Sequence, residues 1–344
     1  MMTKTLTELK KLIEKNKKFL IVSHINPEGD AIGSSVALAL GLKKKGKSVY
    51  VLNKDPVPDI LKFLPSSKLV NQKIPSLKFD AMFIVDCATL ERTGLKGLRA
   101  KTTVVIDHHL IQKSARPASH PPAVRRAGSE AGEVRSQKLE VGTTIRLIDT
   151  SASAVGEIVY KLLSFLNVPI DKKIATNLYT SIFTDTGGFR FSNTSSETLK
   201  IASELVNAGA EPWKITKEVY ENFSFNRLRL LVQSLSTIKK KDKIAWMTVT
   251  RNMFRNTKTS TQATENLVNY PRMIKDIEVA VLFREDGKNS YKISFRSKGK
   301  VNVAEIARTF GGGGHANAAG CTLNGSLSEV KGKILKAVRK AIKK

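Results

Sequence analysis

Three short apolar runs in the first third of the chain each end in a residue that can bind a metal ion. Lys18–Ser23 leads into His24, Asp80–Val85 leads into Asp86, and Val104–Ile106 leads into Asp107-His108-His109. Segments with helical periodicity separate such runs further along the chain, and this alternation favours a parallel sheet. Parallel sheets place ligands outside the carboxyl ends of their strands. The sequence therefore predicts that these polar groups meet at one edge of a buried sheet.

The pattern from the start of the chain to about Ala210 predicts an α/β domain with a parallel sheet and helices on both faces. The strand candidates are Phe19–Val22, Ser48–Leu52, Ala81–Val85 and Thr103–Ile106. Helical periodicity covers Met1–Lys18, 33–45, 153–166, 171–184 and 195–208.

A second pattern begins near Ile244 and predicts a smaller α/β domain with a mixed sheet. Its strand candidates are Ile244–Thr250, Ile277–Arg284 and Tyr291–Arg296, and its helix candidates are Val303–Thr309 and 327–344. We therefore expect a first domain over 1–211, a helical linker over 212–240 and a second domain over 241–344.

The candidate ligands decide which ion the site suits. They are all carboxylates or imidazoles: His24, Glu28, Asp30, Asp86, His108 and Asp185. Without a thiolate a zinc–thiolate site is excluded, and the set suits Mn²⁺, with Mg²⁺ or Co²⁺ as alternatives. Any single Asp is explained more simply as a helix cap or a polar turn, but the complete set favours a metal site. If Asp86 contacts both ions, the set can hold two metals, which activate a water and clamp a phosphoryl group.

The order of these motifs resembles the DHH phosphoesterase superfamily. The matching positions are His24-x-x-x-Glu28-x-Asp30-Ala31-x-Gly33-Ser34, Asp86, Asp107-His108-His109 and Asp185. Gly311–Gly320 is similar to the glycine-rich motif of the associated C-terminal DHHA1 domain. The resemblance covers nearly the whole chain. It is strongest to the NrnA-like branch of bacterial oligoribonucleases (nanoRNases) and 3′-phosphoadenosine-5′-phosphate phosphatases.

The resemblance implies a division of roles in a cleft between the two domains. One ion is held by His24, Glu28 and Asp86, and the other by Asp30, Asp86, His108 and Asp185. The expected catalytic residues are Asp107, which orients the histidines, and His109, which contacts the phosphate or assists the leaving oxygen. The family pattern usually has Asp at position 28, so Glu28 puts the metal preference of its ion in question.

Several further residues are candidates for substrate binding: Ser34, Arg190, Arg296, Ser297, Gly312, Gly313, Gly314 and His315. Ser34 could instead cap a helix, and Arg190 could instead form a surface ion pair. Four consecutive glycines disfavour a regular element and suit close backbone approach to an anion. The resemblance places Arg296 and Ser297 near this loop, where they grip a nucleotide.

Composition narrows the class of protein and of partner. The formal net charge of +28 suits a phosphate-rich substrate, although lysines spread along the whole chain could equally reflect a general compositional bias. Two cysteines argue against a disulfide framework, and no apolar run is long enough to span a membrane. We therefore expect a cytoplasmic enzyme, either a monomer or a homodimer. The absence of a basic stripe interleaved with aromatic residues favours short substrates.

The segment 112–140 does not fit this plan. It is rich in Ala, Arg, Pro, Ser and Gly and lacks aromatic residues, so it is expected to be a disordered or surface insertion or a sequence artefact. His120, which lies within it, is not assigned to the metal site.

The sequence thus predicts Mn²⁺-dependent hydrolysis of very short RNAs to 5′-mononucleotides, with 3′-phosphoadenosine-5′-phosphate phosphatase activity as a second reaction. One alternative is cleavage of cyclic or linear dinucleotides. An alternative of another class is a non-catalytic nucleotide-binding module.

Overall fold

A computed structural model of the protein describes residues 2–109 and 143–343, and its chain divides into two compact units, Met1–Asn222 and Phe223–Lys344. The segment 112–140, including His120, lies outside the described residues. The division falls inside the expected linker, because one helix of that stretch packs into the first unit through Ile215 and Val219. The next helix packs into the second unit through Leu230 and Leu231.

The first unit contains six strands and six α-helices within its described part. In chain order they are α1 Met2–Lys15, β1 Lys18–Ser23, α2 Gly29–Lys44, β2 Ser48–Leu52, β3 Val70–Asn71, β4 Phe79–Val85, β5 Ala100–Asp107, β6 Thr144–Ile148, α3 Val155–Phe165, α4 Lys172–Asp185, α5 Ser196–Asn207 and α6 Pro212–Tyr220. The four strands and five helices expected from the sequence are confirmed. Strands β3 and β6 were missed, since β3 has only two residues and β6 lies at the sheet edge.

All pairings in the first sheet are parallel, in the order β3-β2-β1-β4-β5-β6. From β1 the chain runs outward to β2 and β3, and it then returns to start β4 on the other side of β1. The strand order therefore reverses between β1 and β4, which is where open parallel sheets bind ligands.

The two faces of this sheet are covered differently. Buried apolar residues of all six helices belong to one core together with alternate strand residues such as Phe19 and Phe83. The opposite face, which carries Leu20 and Met82, packs within the described ranges against the stretch between β4 and β5, including Leu98. The prediction of a parallel sheet packed against helices is confirmed, and in the described part of the chain the opposite face is covered by the stretch that contains the short 3₁₀ helix Leu90–Thr93.

The second unit has a mixed six-stranded sheet, as expected, in the order β11-β12-β10-β9-β8-β7. Its elements are α7 Phe225–Leu235, β7 Lys239–Lys241, β8 Ile244–Val249, α8 Arg251–Thr257, α9 Asn269–Arg272, β9 Val279–Gly287, β10 Ser290–Ser297, α10 Val303–Arg308, β11 Gly313–His315, β12 Ala318–Asn324 and α11 Leu327–Ile342. Strands β8 and β9 are parallel and the other pairs are antiparallel. Among the described helices, none combines the length and apolar character that crossing a membrane requires.

Candidate metal centre

The register of the first sheet brings the ends of three strands together. Ser23 of β1 pairs with Val85 of β4, and Val85 pairs with Ile106 of β5. The next residues along β1 and β4, His24 and Asp86, are therefore neighbours at the point where the strand order reverses. Asp86 has a φ of 60°, in the left-handed region that Asp and Asn tolerate better than most residues.

Asp86 lies between two groups of candidate ligands. On one side, its Oδ2 is 3.1 Å from Nε2 of His24, and the same nitrogen is 3.8 Å from Oε1 of Glu28. On the other side, its Oδ1 is 3.9 Å from Nε2 of His108. The two carboxylate oxygens thus face different imidazoles, as a bridging ligand requires.

The second group lies where two helices meet the sheet edge. Nε2 of His108 is 3.7 Å from Oδ2 of Asp30 and 3.5 Å from Oδ2 of Asp185. Asp30 is the second residue of α2, and Asp185 is the last residue of α4. In both groups, His24-Glu28-Asp86 and Asp30-His108-Asp185, the candidate ligand atoms lie within 4.8 Å of one another. The structure thus brings together all six residues expected to bind metal.

Asp107 organises the histidine pair from a fully buried position. Its Oδ1 accepts hydrogen bonds from the backbone N–H groups of His108 and His109, at 2.8 and 3.2 Å, and lies 2.5 Å from Nδ1 of His109. The ring of His108 is held instead through Nδ1, which is 3.2 Å from the carbonyl oxygen of Ala152. Asp107 therefore orients the imidazole of His109 directly and that of His108 only through the backbone.

The electrostatics of the cluster are those of a cation site. Burial alone would lower the pKa of His24, but its hydrogen bond to Asp86 and the charge of Asp86 outweigh burial and raise the pKa to about 9. Burial opposes the charged form of His108 as well, yet Asp30, Asp185 and Asp86 raise its pKa to about 9. In the metal-free protein, protonated His24 and His108 thus balance part of the negative charge of the carboxylates.

The carboxylates themselves are crowded. Burial raises the pKa of Asp30 and of Asp185, and repulsion from neighbouring carboxylates raises both further. Burial would also raise the pKa of Asp86, but the hydrogen bond from His24 and the charges of the imidazoles lower it. Oxygen and imidazole donors packed this closely fit one or two hard divalent ions, which would relieve the repulsion.

The sequence analysis missed two residues that hold the loop after β1. Asn53, buried just beyond β2, accepts hydrogen bonds through Oδ1 from the N–H and hydroxyl of Ser23, at 3.2 and 2.7 Å. Asp55 accepts one from the backbone N–H of Asn26, at 2.7 Å. Both residues follow β2, the strand that pairs with β1, and only the tertiary structure brings the end of β2 beside His24.

Two expected substrate contacts are not exposed. Ser34 is fully buried inside α2 and donates to the carbonyl oxygen of Asp30 at 2.5 Å, so the helix-cap alternative is wrong as well. Ser297 is 1% exposed, and its hydroxyl accepts a hydrogen bond from the N–H of Gly299. Both hydroxyls stabilise local backbone, and direct substrate contact does not agree with their burial.

Arg190 is exposed in the first unit. Its Nε donates to the carbonyl oxygen of Gly187 at 2.7 Å, and its guanidinium lies 5.8 Å from the ring centre of Tyr220. This arrangement differs from the expected alternative of a surface ion pair.

The other candidates lie in the second unit. Arg296 is partly buried on β10, opposite Ala318 of β12. Gly312 precedes β11, which consists of Gly313, Gly314 and His315. The expectation that the glycines avoid regular structure was therefore wrong for Gly313 and Gly314. Close packing requires glycine at positions 312 and 314. A Cβ added to Gly312 would lie 2.1 Å from the carbonyl oxygen of Gly320, and one added to Gly314 would lie 2.5 Å from that of Ala318.

Comparison with known proteins agrees with this geometry. The family model of the DHH family, N-terminal domain, matches residues 18–182, and that of the DHHA1 domain matches residues 241–344. The bifunctional oligoribonuclease and PAP phosphatase NrnA of Thermus thermophilus is 31% identical over 94% of this chain and 89% of its own. The protein of the same name from Mycoplasma pneumoniae is 27% identical over 93% and 91% of the two chains.

A solved structure gives the same result. The exopolyphosphatase-related protein from Bacteroides fragilis superposes with a TM-score of 0.81 at 29% identity, covering 98% of this chain and 96% of its own. Fold, strand-end ligands and sequence similarity agree, and the chain belongs to the DHH family, with a DHHA1 domain as its second part.

Proposed function

We propose that the protein is a two-metal phosphoesterase that uses Mn²⁺ to hydrolyse short oligoribonucleotides to 5′-mononucleotides. We further propose that it removes the 3′-phosphate of 3′-phosphoadenosine-5′-phosphate. The substrate classes are those named for the relatives from Thermus thermophilus and Mycoplasma pneumoniae, which match this chain over nearly its whole length.

The observation that carries the proposal is the position of Asp86 between two ligand groups. Its Oδ2 faces His24 and its Oδ1 faces His108, while Asp30 and Asp185 complete the group around His108. Two divalent ions held there would supply an activated water and stabilise the charge of a phosphoryl group during in-line attack. Asp86 and the five candidate ligands around it would hold them.

His109 is the proposed group that acts on the substrate. Nδ1 of His109 lies against Oδ1 of Asp107, so Asp107 selects the tautomer that carries its proton on Nδ1. Nε2 is then the ring nitrogen left for the substrate: without a proton it accepts a hydrogen bond, and it can donate to a phosphate oxygen or to the leaving oxygen only when the ring carries a second proton. Asp107 is fully buried, so we assign it a positioning role and not direct contact with substrate.

Substrate binding by Arg190, Arg296, the glycines of 312–314 and His315 remains part of the proposal. If Arg296 grips a nucleotide phosphate, Arg296→Ala should raise KM for a dinucleotide about tenfold and leave kcat nearly unchanged, a loss of about 1.4 kcal/mol of binding. The matched control is Arg339→Ala, which removes an exposed arginine on α11. An unchanged KM in the Arg296 variant would exclude this contact.

The experiment that tests the function is release of mononucleotide from a diribonucleotide by the full chain. We expect turnover with Mn²⁺, none with excess EDTA, and recovery on adding Mn²⁺ back. A parallel reaction with 3′-phosphoadenosine-5′-phosphate should release inorganic phosphate under the same conditions. Binding of these compounds without turnover would instead identify a non-catalytic nucleotide-binding protein, and turnover of cyclic dinucleotides alone would change the substrate class.

A further inference from the structure

Asp30 is held in place by three donors from two helices. Its Oδ2 accepts a hydrogen bond from the N–H of Val155 at 2.8 Å. Its Oδ1 accepts one from the N–H of Gly156 at 3.2 Å and one from the hydroxyl of Ser181 at 2.5 Å. Asp30 itself is 1% exposed. This carboxylate is therefore fixed before any ion arrives.

The packing of the helices leaves the Ser181 hydroxyl little freedom. A Cβ on Gly156 of α3 would lie 2.1 Å from Oγ of Ser181, and one on Gly33 of α2 would lie 3.1 Å from its Cβ. Glycine at both positions lets α2 and α3 approach α4 closely enough for the hydroxyl to reach Asp30. The other members of this group, His108 and Asp185, have side chains that are 7% and 21% exposed.

Glu28 contrasts with Asp30 in each of these respects. Its side chain is 56% exposed, and it makes no capping hydrogen bond at the start of α2. It also has one more rotatable bond than the Asp that the family pattern usually carries here. Ordering this side chain on an ion costs conformational entropy that the fixed Asp30 does not lose.

We infer that the two groups bind their cations in order. The group of Asp30, His108 and Asp185 takes the first divalent ion, because Ser181 and the start of α3 hold Asp30 in position. The group of His24, Glu28 and Asp86 takes the second ion more weakly. Ser181 is thus a positioning residue for the first ion. This inference rests on the proposed two-metal function.

A titration of Mn²⁺ into the EDTA-stripped full chain tests it, with free Mn²⁺ followed by electron paramagnetic resonance. We expect two classes of sites whose dissociation constants differ at least tenfold. Ser181→Ala should weaken the tight class about tenfold, because Asp30 loses one of the three donors that fix it and the ion must then order the carboxylate itself. Ser181→Cys, which keeps a weaker donor, should lie between. Glu28→Gln should weaken only the weak class.

Ser35→Ala is the matched control. Ser35 is also 1% exposed and lies in α2, and in the described part of the chain its hydroxyl has no hydrogen-bond partner. The Ser35→Ala variant should therefore bind both ions with the affinities of the unsubstituted protein.

Two equal classes of sites would overturn the inference while leaving the proposed function intact. So would a Ser181→Ala titration that matches Ser35→Ala, or a Glu28→Gln titration in which the tight class is lost. A folded protein that binds no Mn²⁺ would overturn both the inference and the proposed metal-dependent function.

Discussion

Asp86→Asn isolates the charge of the carboxylate that we propose bridges the two ions. Asn is nearly the same size as Asp and also tolerates the left-handed backbone at this position, so the substitution should leave the turn after β4 intact. It removes a negative charge whose oxygens lie 3.1 Å from Nε2 of His24 and 3.9 Å from Nε2 of His108.

The distances set the expected magnitude. Opposite unit charges about 4 Å apart attract by about 4 kcal/mol at an effective dielectric constant of about 20. Each tenfold change in an equilibrium constant corresponds to about 1.4 kcal/mol, so the loss of one such attraction lowers a binding constant by about a thousandfold. A bridging carboxylate contacts two ions, so we expect at least a thousandfold loss of turnover on a diribonucleotide and a clear loss of Mn²⁺ affinity by calorimetry.

Asp80→Asn provides a control on the same strand. Asp80 lies near the other end of β4, where its Oδ2 accepts hydrogen bonds from the backbone N–H groups of Lys17 and Lys18 at 3.1 and 2.9 Å. Its amide variant should keep near-normal turnover. If Asp86→Asn also kept turnover and Mn²⁺ affinity within about threefold of Asp80→Asn, the bridging role of Asp86 would be refuted.

Three further predictions concern pH and packing. The pKa values of His24 and His108 are raised from 6.5 to about 9, so the folded, metal-free protein retains protons that the unfolded chain loses. Its melting temperature in EDTA should therefore fall as the pH rises from about 6.5 to 9, and a flat or rising curve would contradict this. Mn²⁺ affinity should rise over the same pH range, by up to about tenfold per pH unit for each proton that the ion displaces. Calorimetry at three pH values measures this, and an affinity that does not change with pH would contradict it. Gly156→Ala should cost about 1–3 kcal/mol in urea denaturation, because its methyl group would lie 2.1 Å from Oγ of Ser181; Gly332→Ala, with open space around its Cβ, should cost nothing, and equal effects would reject the packing argument.

The cluster of proposed metal ligands could be predicted because each of them follows a recognisable element. His24, Asp86 and His108 come after apolar runs, and a parallel sheet places the ends of such runs at one edge. Asp30 ends the polar stretch that begins with His24, and Asp185 directly follows the predicted helix 171–184. For these residues the local pattern carries the information that the fold then uses.

The supporting residues could not be predicted in this way. Ser181 and Asn53 are single polar residues within or beside regular elements, and their partners Asp30 and Ser23 are 151 and 30 positions away in sequence. Which hydroxyl reaches which carboxylate depends on how closely two helices approach, and glycines such as Gly156 decide that distance. Ser34 was expected at the start of a helix beside the metal site, where an anion is favoured, whereas α2 begins at Gly29 and Ser34 donates to the carbonyl oxygen of Asp30.

Anomalous X-ray diffraction at the manganese edge, on crystals grown with Mn²⁺, tests the two-ion site most directly. We expect two peaks about 3.5–4 Å apart, both within ligand distance of Asp86. One should also contact His24 and Glu28, and the other Asp30, His108 and Asp185. Peaks that do not share Asp86, or an absence of manganese at these residues in crystals that bind it elsewhere, would contradict the account.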